Sequence, residues 1–142
     1  MTRNSSDIAA AIDQFQPQDE EWLELDDLLE ELFESESPAS GIPAMLRVFE
    51  RYPTDDGAGV FWSIIHGMES LPDYEPLLVE SVQSAPSESG LIMVNRLLNS
   101  GVTQINSLKL VQLFEQTAQN QSVPAEVRES ARRFLKKHHS PD

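Results

Sequence analysis

The stretch Trp22-Leu23-Glu24-Leu25-Asp26-Asp27-Leu28-Leu29-Glu30-Glu31-Leu32-Phe33 decides how the chain is read. At about 100° per residue, Trp22, Leu25, Leu28, Leu29, Leu32 and Phe33 fall on one side of a helix. Glu20, Glu24, Asp27, Glu31 and Glu34 fall on the other as a stripe of acids, within a helix predicted over residues 17–35. Leu23 alone breaks the rule: it projects among the acids, away from the apolar side. An amphipathic helix of this kind must bury its apolar stripe on a neighbour, so its partners are sought in the rest of the chain.

They follow at regular intervals, and each is helical. Upstream, Ser6 is placed to cap a short helix in which Ile8, Ile12 and Phe15 share a face, and Pro17 ends it. Downstream, a Pro/Ser/Gly hinge over 35–41 leads to Pro43, which opens a helix with Ile42, Met45, Leu46 and Phe49 inward, closed by Pro53. Asp55 and Asp56 supply carboxylates for the next helix start. That helix buries Val60, Phe61, Ile64, Ile65 and Met68, with Ser63 and Gly67 on a flank where a neighbour can come close. Trp62, His66 and Glu69 lie on its outer flank. A helix over 73–84 carries Tyr74, Leu77, Leu78 and Val82. Ser87 caps another with Leu91, Val94, Leu97 and Leu98. A broadly apolar helix is predicted over 105–119, including Leu108, Leu110, Val111, Leu113, Phe114 and Ala118. The last carries Val127, Ala131, Phe134 and Leu135 inward. No stretch sustains an alternating pattern, so the expectation is about eight helices and no sheet.

Composition bounds what such a fold does. The chain has 142 residues, enough for one domain over 1–142, with acidic N-terminal helices over 1–36 and helical hairpins over 42–138. There is no cysteine, which removes disulfides and thiolate metal sites. The N-terminal residues Met1 to Asp7 lack the apolar core of a signal peptide, and no apolar run reaches about 18 residues, so a cytoplasmic location is expected and no membrane partner. Acids outnumber bases 24 to 10. Residues 1–36 hold twelve of the acids and only Arg3, whereas Arg128, Arg132, Arg133, Lys136 and Lys137 make the C-terminal helix basic. This balance argues against nucleic acid and favours cationic partners.

Catalytic patterns are missing. The three histidines, His66, His138 and His139, sit beside no nucleophile elbow, and the last two fall in a terminus expected to fray. Gly57-Ala58-Gly59 lacks the Lys-Ser/Thr of a phosphate loop. The front carboxylates point outward without a His, unlike carboxylate metal sites in helical bundles. No catalytic residue, no metal and no cofactor is therefore expected; a carboxylate-metal hydrolase is the enzymatic rival. What remains is interaction chemistry, on two surfaces. One is Glu20, Leu23, Glu24, Asp27 and Glu31, a charged field with an apolar anchor. The other is Asp55, Asp56, Trp62, His66 and Glu69, in which Trp62 offers a large area at low entropic cost.

Two resemblances sharpen this. From residue 42 onward, Val60, Leu91 and Val127 introduce the second helix of successive pairs, at intervals of 31 and 36 residues. The run Ala125-Glu126-Val127-Arg128-x-x-Ala131-x-x-Phe134-Leu135 resembles the second helix of a HEAT repeat, which implies an all-α, right-handed stack of antiparallel hairpins. The run from Phe49 to Glu69, FERYPTDDGAGVFWSIIHGME, resembles bacterial immunity proteins of polymorphic toxin systems, as do Tyr74-Glu75-Pro76-Leu77-Leu78-Val79-Glu80-Ser81 and Asn95-Arg96-Leu97-Leu98-Asn99. That likeness spans roughly residues 42–135. It implies an antidote that binds a cognate toxin domain delivered by contact-dependent inhibition or a type VI-linked system, many such toxins being nucleases. The alternative is a helical-repeat adaptor or scaffold in a non-toxin pathway. The sequence leaves the oligomeric state open.

Overall fold

The computed structural model describes residues 4–138, and within them the chain is all-α apart from one two-residue hairpin. The eight helices are α1 (Ser5–Gln14), α2 (Leu23–Phe33), α3 (Ile42–Arg51), α4 (Val60–Glu69), α5 (Glu75–Ser84), α6 (Glu88–Asn99), α7 (Leu110–Gln119) and α8 (Ala125–His138). Short 3₁₀ turns, Pro38–Gly41 and Gly57–Gly59, lead into α3 and α4. None of these helices is long and apolar enough to cross a membrane.

Consecutive helices pair, and the pairs stack. Ser5 Oγ at the start of α1 lies 2.7 Å from Ser35 Oγ just after α2, so this pair is antiparallel. At the other end of the molecule, Phe114 of α7 meets Phe134 of α8, while Arg132 reaches back to the Ala118 carbonyl. Odd helices touch odd helices (α1 on α3, α3 on α5, α5 on α7) and even touch even. Their directions agree within each layer. Trp22 and Phe33 at the two ends of α2 meet Phe61 and Gly67 at the corresponding ends of α4. Glu88 and Asn95 of α6 meet Ser130 and His138 of α8 in the same order. The result is two layers of parallel helices built from four hairpins. The acidic front, expected to precede the repeat, is its first unit.

Trp22 joins the first two hairpins. Its ring lies edge-on to Tyr52 and Phe61 at 5.2 and 5.3 Å and tilted against Phe15 at 5.8 Å, in one continuous hydrophobic core. Aromatic pairs in these geometries add to the gain from burial alone. Each partner sits near the end of a helix: Phe15 just past α1, Tyr52 just past α3, Phe61 at the second residue of α4.

Several sequence expectations need correction. The helix predicted over 17–35 starts only at Leu23, because Gln18 and Glu21 pair as an isolated antiparallel bridge around Asp19 and Glu20. Both of these have positive φ (52° and 60°), as a two-residue I′ turn requires. Asn4, not Ser6, caps α1: its Oδ1 accepts from the Asp7 N–H at 2.7 Å. Residues 105–109 are not helical. Gln104–Ile105 (β1) pairs with Leu108–Lys109 (β2) around Asn106 and Ser107, again both at positive φ. Leu77 is exposed at 36% and Val79 is buried in its stead, since α5 packs on α3, α6 and α7 and turns Leu77 toward the shallow groove beside α3. His138 is the last residue of a formed helix, its Nε2 2.6 Å from Asn95 Oδ1 and its ring stacked on Phe114. His139 lies outside the described residues.

Gly57-Ala58-Gly59 has a structural role. All three residues have positive φ (60°, 52° and 92°), forming a left-handed turn that swings the chain into α4. A Cβ on Gly57 would lie 2.6 Å from the Phe61 ring. Ala58 occupies the same left-handed region with a Cβ that disfavours it. Replacing Ala58 with Gly is therefore expected to stabilise the fold by about 0.5–1 kcal/mol in urea unfolding, after the entropic cost of glycine. Gly57→Ala is expected to destabilise it by about 2 kcal/mol through strain and overpacking. An unchanged or lower midpoint for Ala58→Gly would show that the left-handed turn carries no strain at that position.

Candidate functional site

Among the described residues, only three large apolar side chains are conspicuously exposed: Leu23 at 66%, Trp62 at 42% and Leu77. Two of them are the anchors singled out from the sequence. Their surroundings differ, and that difference separates the two candidate surfaces.

Around Leu23, the sequence-predicted stripe is only partly one surface. Glu24 and Asp27 are exposed on α2, and Glu31 is half-buried. Glu20 is exposed too, but it stands on the I′ turn that precedes the helix and is not part of its stripe. Glu21, which the sequence reading passed over, accepts from the Leu23 N–H at 3.2 Å and supplies a free helix donor with a partner. Glu21 and Glu24 border a shallow concavity with Phe15, Gln16, Gln18 and Asp19.

Around Trp62 the arrangement is more closely built. The indole stacks on His66, one helical turn along, at 5.7 Å. The Arg96 guanidinium of α6 lies 5.9 Å from the indole centroid, within cation–π range. Arg96 in turn grips Glu69 with two hydrogen bonds of 2.7 and 2.8 Å from Nε and Nη2. The structure thus brings Trp62, His66 and Glu69 together as the sequence implied. It adds Arg96, which sequence reasoning missed as a site residue. The available signal was that Arg96 is the only Lys or Arg between Arg51 and Lys109. Glu69 is committed to that ion pair; Asp55 and Asp56 are not part of any ion pair among the described residues.

Two concavities adjoin this cluster. One is a pocket lined by Glu69, Tyr74, Arg96, Leu97, Asn99 and Ser100. The other is a groove of about 560 Å³ between α4 and α6, with Asp55 and Asp56 at its rim and Glu88, Ser89 and Ile92 contributed by α6. The α6 wall was not foreseen, because it depends on how α4 and α6 sit side by side. Backbone links fix it: the Glu88 N–H donates to the Pro53 carbonyl at 2.8 Å, and Ser87 Oγ caps α6 by accepting from the Gly90 N–H. Among the described residues, no three His, Asp or Glu side chains gather closely enough to hold a metal ion.

No family model, curated protein or solved structure matches the chain.

Tyr74 gives this region a spectroscopic handle. Burial pushes its phenol up to about 12, with the negative charges of Glu75 and Glu69 acting in the same direction. A raised folded value means the phenol's contribution to stability is complete below the unfolded value near pH 10 and is lost as pH climbs from there toward about 12. Thermal melts between pH 9 and 12 are expected to show this added alkaline loss in the parent protein. Tyr74→Phe should lack it; a variant whose alkaline profile matched the parent's would assign the loss elsewhere.

Proposed function

We propose that the protein is an immunity protein, binding a cognate bacterial toxin domain and neutralising it stoichiometrically, without turnover. The observation that carries the reading is Trp62. It is a large aromatic left 42% exposed on a rigid helix, inside the very run that resembles immunity proteins. An indole held by His66 and Arg96 loses little freedom on binding, which is what makes such a residue an effective anchor. The net charge of −14 supports a cationic target. A nuclease domain has such a surface where it meets phosphate, and an acidic antidote covers it. Acting before the toxin reaches its substrate places the protein in the cytoplasm. Charged residues then set the association rate, while Trp62 and Leu23 hold the complex by burial.

The test is capture of the C-terminal domain encoded by the adjacent toxin gene. Binding at low micromolar affinity or better is expected, with an association rate that falls steeply between 50 and 500 mM salt (on the order of tenfold or more). Trp62→Ala should weaken the complex by about 2 kcal/mol, roughly 30-fold, chiefly through faster dissociation. Since Trp62 packs on surface side chains, its removal leaves the melting temperature nearly unchanged. Absence of binding to any neighbouring gene product would leave a helical-repeat adaptor as the better description. Salt-independent association would remove the cationic surface from the account.

A further inference from the structure

The groove between α4 and α6 combines an apolar floor with an unneutralised rim. Phe61 and Ile65 are buried beneath it, Ile92 is half-buried, and Trp62 stands along one side. At the rim, each of two aspartates spends one oxygen on the chain. Asp55 Oδ1 accepts from the Gly57 N–H at 2.9 Å, and Asp56 Oδ1 from the Ala58 N–H at 3.0 Å. The Oδ2 atom of each has no hydrogen bond among the described residues. On the α6 wall, Glu88 Oε2 accepts from the Ser130 hydroxyl at 2.6 Å, and Arg133 donates to the same hydroxyl without forming an ion pair with Glu88. Among the described residues, no lysine or arginine lines the groove itself.

We infer that this groove receives an arginine side chain of the protein partner. Its three methylenes would cover the apolar floor beside Trp62 and Ile92, and its planar guanidinium would meet the free Oδ2 atoms of Asp55 and Asp56. Arginine fits better than lysine because a planar guanidinium can engage two carboxylates at once, whereas an ammonium is a compact, strongly hydrated point charge. The left-handed turn at Gly57-Ala58-Gly59 holds both aspartates through their capping bonds, so the carboxylates are placed before anything binds. Leu23 and its acids lie on another element and take no part. The inference rests on the immunity reading for the partner being a toxin; the groove's chemistry stands on its own residues.

A titration that needs no toxin tests it. The ¹⁵N-labelled chain is followed by NMR while an acetylated and amidated Gly-Arg-Gly peptide is added, with the corresponding citrulline, lysine and glutamate peptides in parallel. Citrulline keeps the shape of arginine and removes its charge. The expected result is saturable shifts of the Trp62 indole N–H and of amides over 54–59 and 88–92 with the arginine peptide. Affinity should be at least threefold weaker for lysine, with no saturation for citrulline or glutamate. The double variant Asp55→Asn/Asp56→Asn keeps both carbonyl acceptors for the turn and should lower the arginine affinity at least tenfold, with the parent's amide pattern retained elsewhere. Equal response to citrulline, or arginine shifts centred on the Leu23 face, overturns the inference. Toxin capture that succeeds while these shifts are absent also overturns the groove and leaves the immunity reading intact. Saturable shifts without toxin capture do the reverse.

Discussion

The burial of Trp22 against Phe15, Tyr52 and Phe61 is the constraint on which the front half of the molecule depends. The Trp22 ring here is shared between two helix pairs. Placed at the N-terminal cap of α2, it draws the ends of α1, α3 and α4 around a single ring. The turn at Gly57 follows from that demand, since the chain must clear both the Phe61 and Trp22 rings on its way into α4. Gly67 answers a similar need at the far end, where the Phe33 ring lies against its Cα and leaves no room for a side chain. Close approach at both ends sets α2 and α4 parallel. Once these two are parallel, every later pair can stack by the same rule.

The functional surface is a by-product of this stacking. Phe61 and Ile65 point into the core, so Trp62 and His66, each one residue further on, are carried outward at fixed spacing. Beside them, α6 is held by the Glu88–Pro53 backbone bond and brings Arg96, Glu88 and Ile92 alongside α4. Neither helix alone has a groove. The pair has one, with acids at one end and an aromatic flank.

Much of this was legible in the sequence because burial follows helical periodicity. The inward residues of α2 and α4 were identified, as were Ile42, Met45, Leu46 and Phe49 of α3 though not its buried Ala44 and Val48, and Leu23 and Trp62 were recognised as outward-facing from period alone. What was hidden lay in turns without their usual glycine. Asp19-Glu20 and Asn106-Ser107 both adopt positive φ, yet neither carries the Asn-Gly or Asp-Gly signature that normally marks a two-residue hairpin turn. Helix 17–35 and helix 105–119 were therefore each drawn too long. A helical pattern gives no information on which flank of a neighbour it meets, so the α6 wall of the groove was invisible. The reach of Arg96 to Glu69, 27 positions apart, was invisible for the same reason.

The division of labour along α4 has a consequence for how such a surface changes over time. Its buried positions are tied to the core, while Trp62 and His66 contact one another and Arg96, and the neighbouring Asp55 and Asp56 contact the turn and solvent. Substitutions at Trp62 and His66 alter what the face can meet and leave the buried positions of α4 untouched, whereas Asp55 and Asp56 also cap the turn that leads into it. A ten-residue helix thus carries two nearly independent messages, one constrained by its own molecule and one free to drift with its neighbours. Surfaces of that kind can change while the scaffold beneath them keeps its packing.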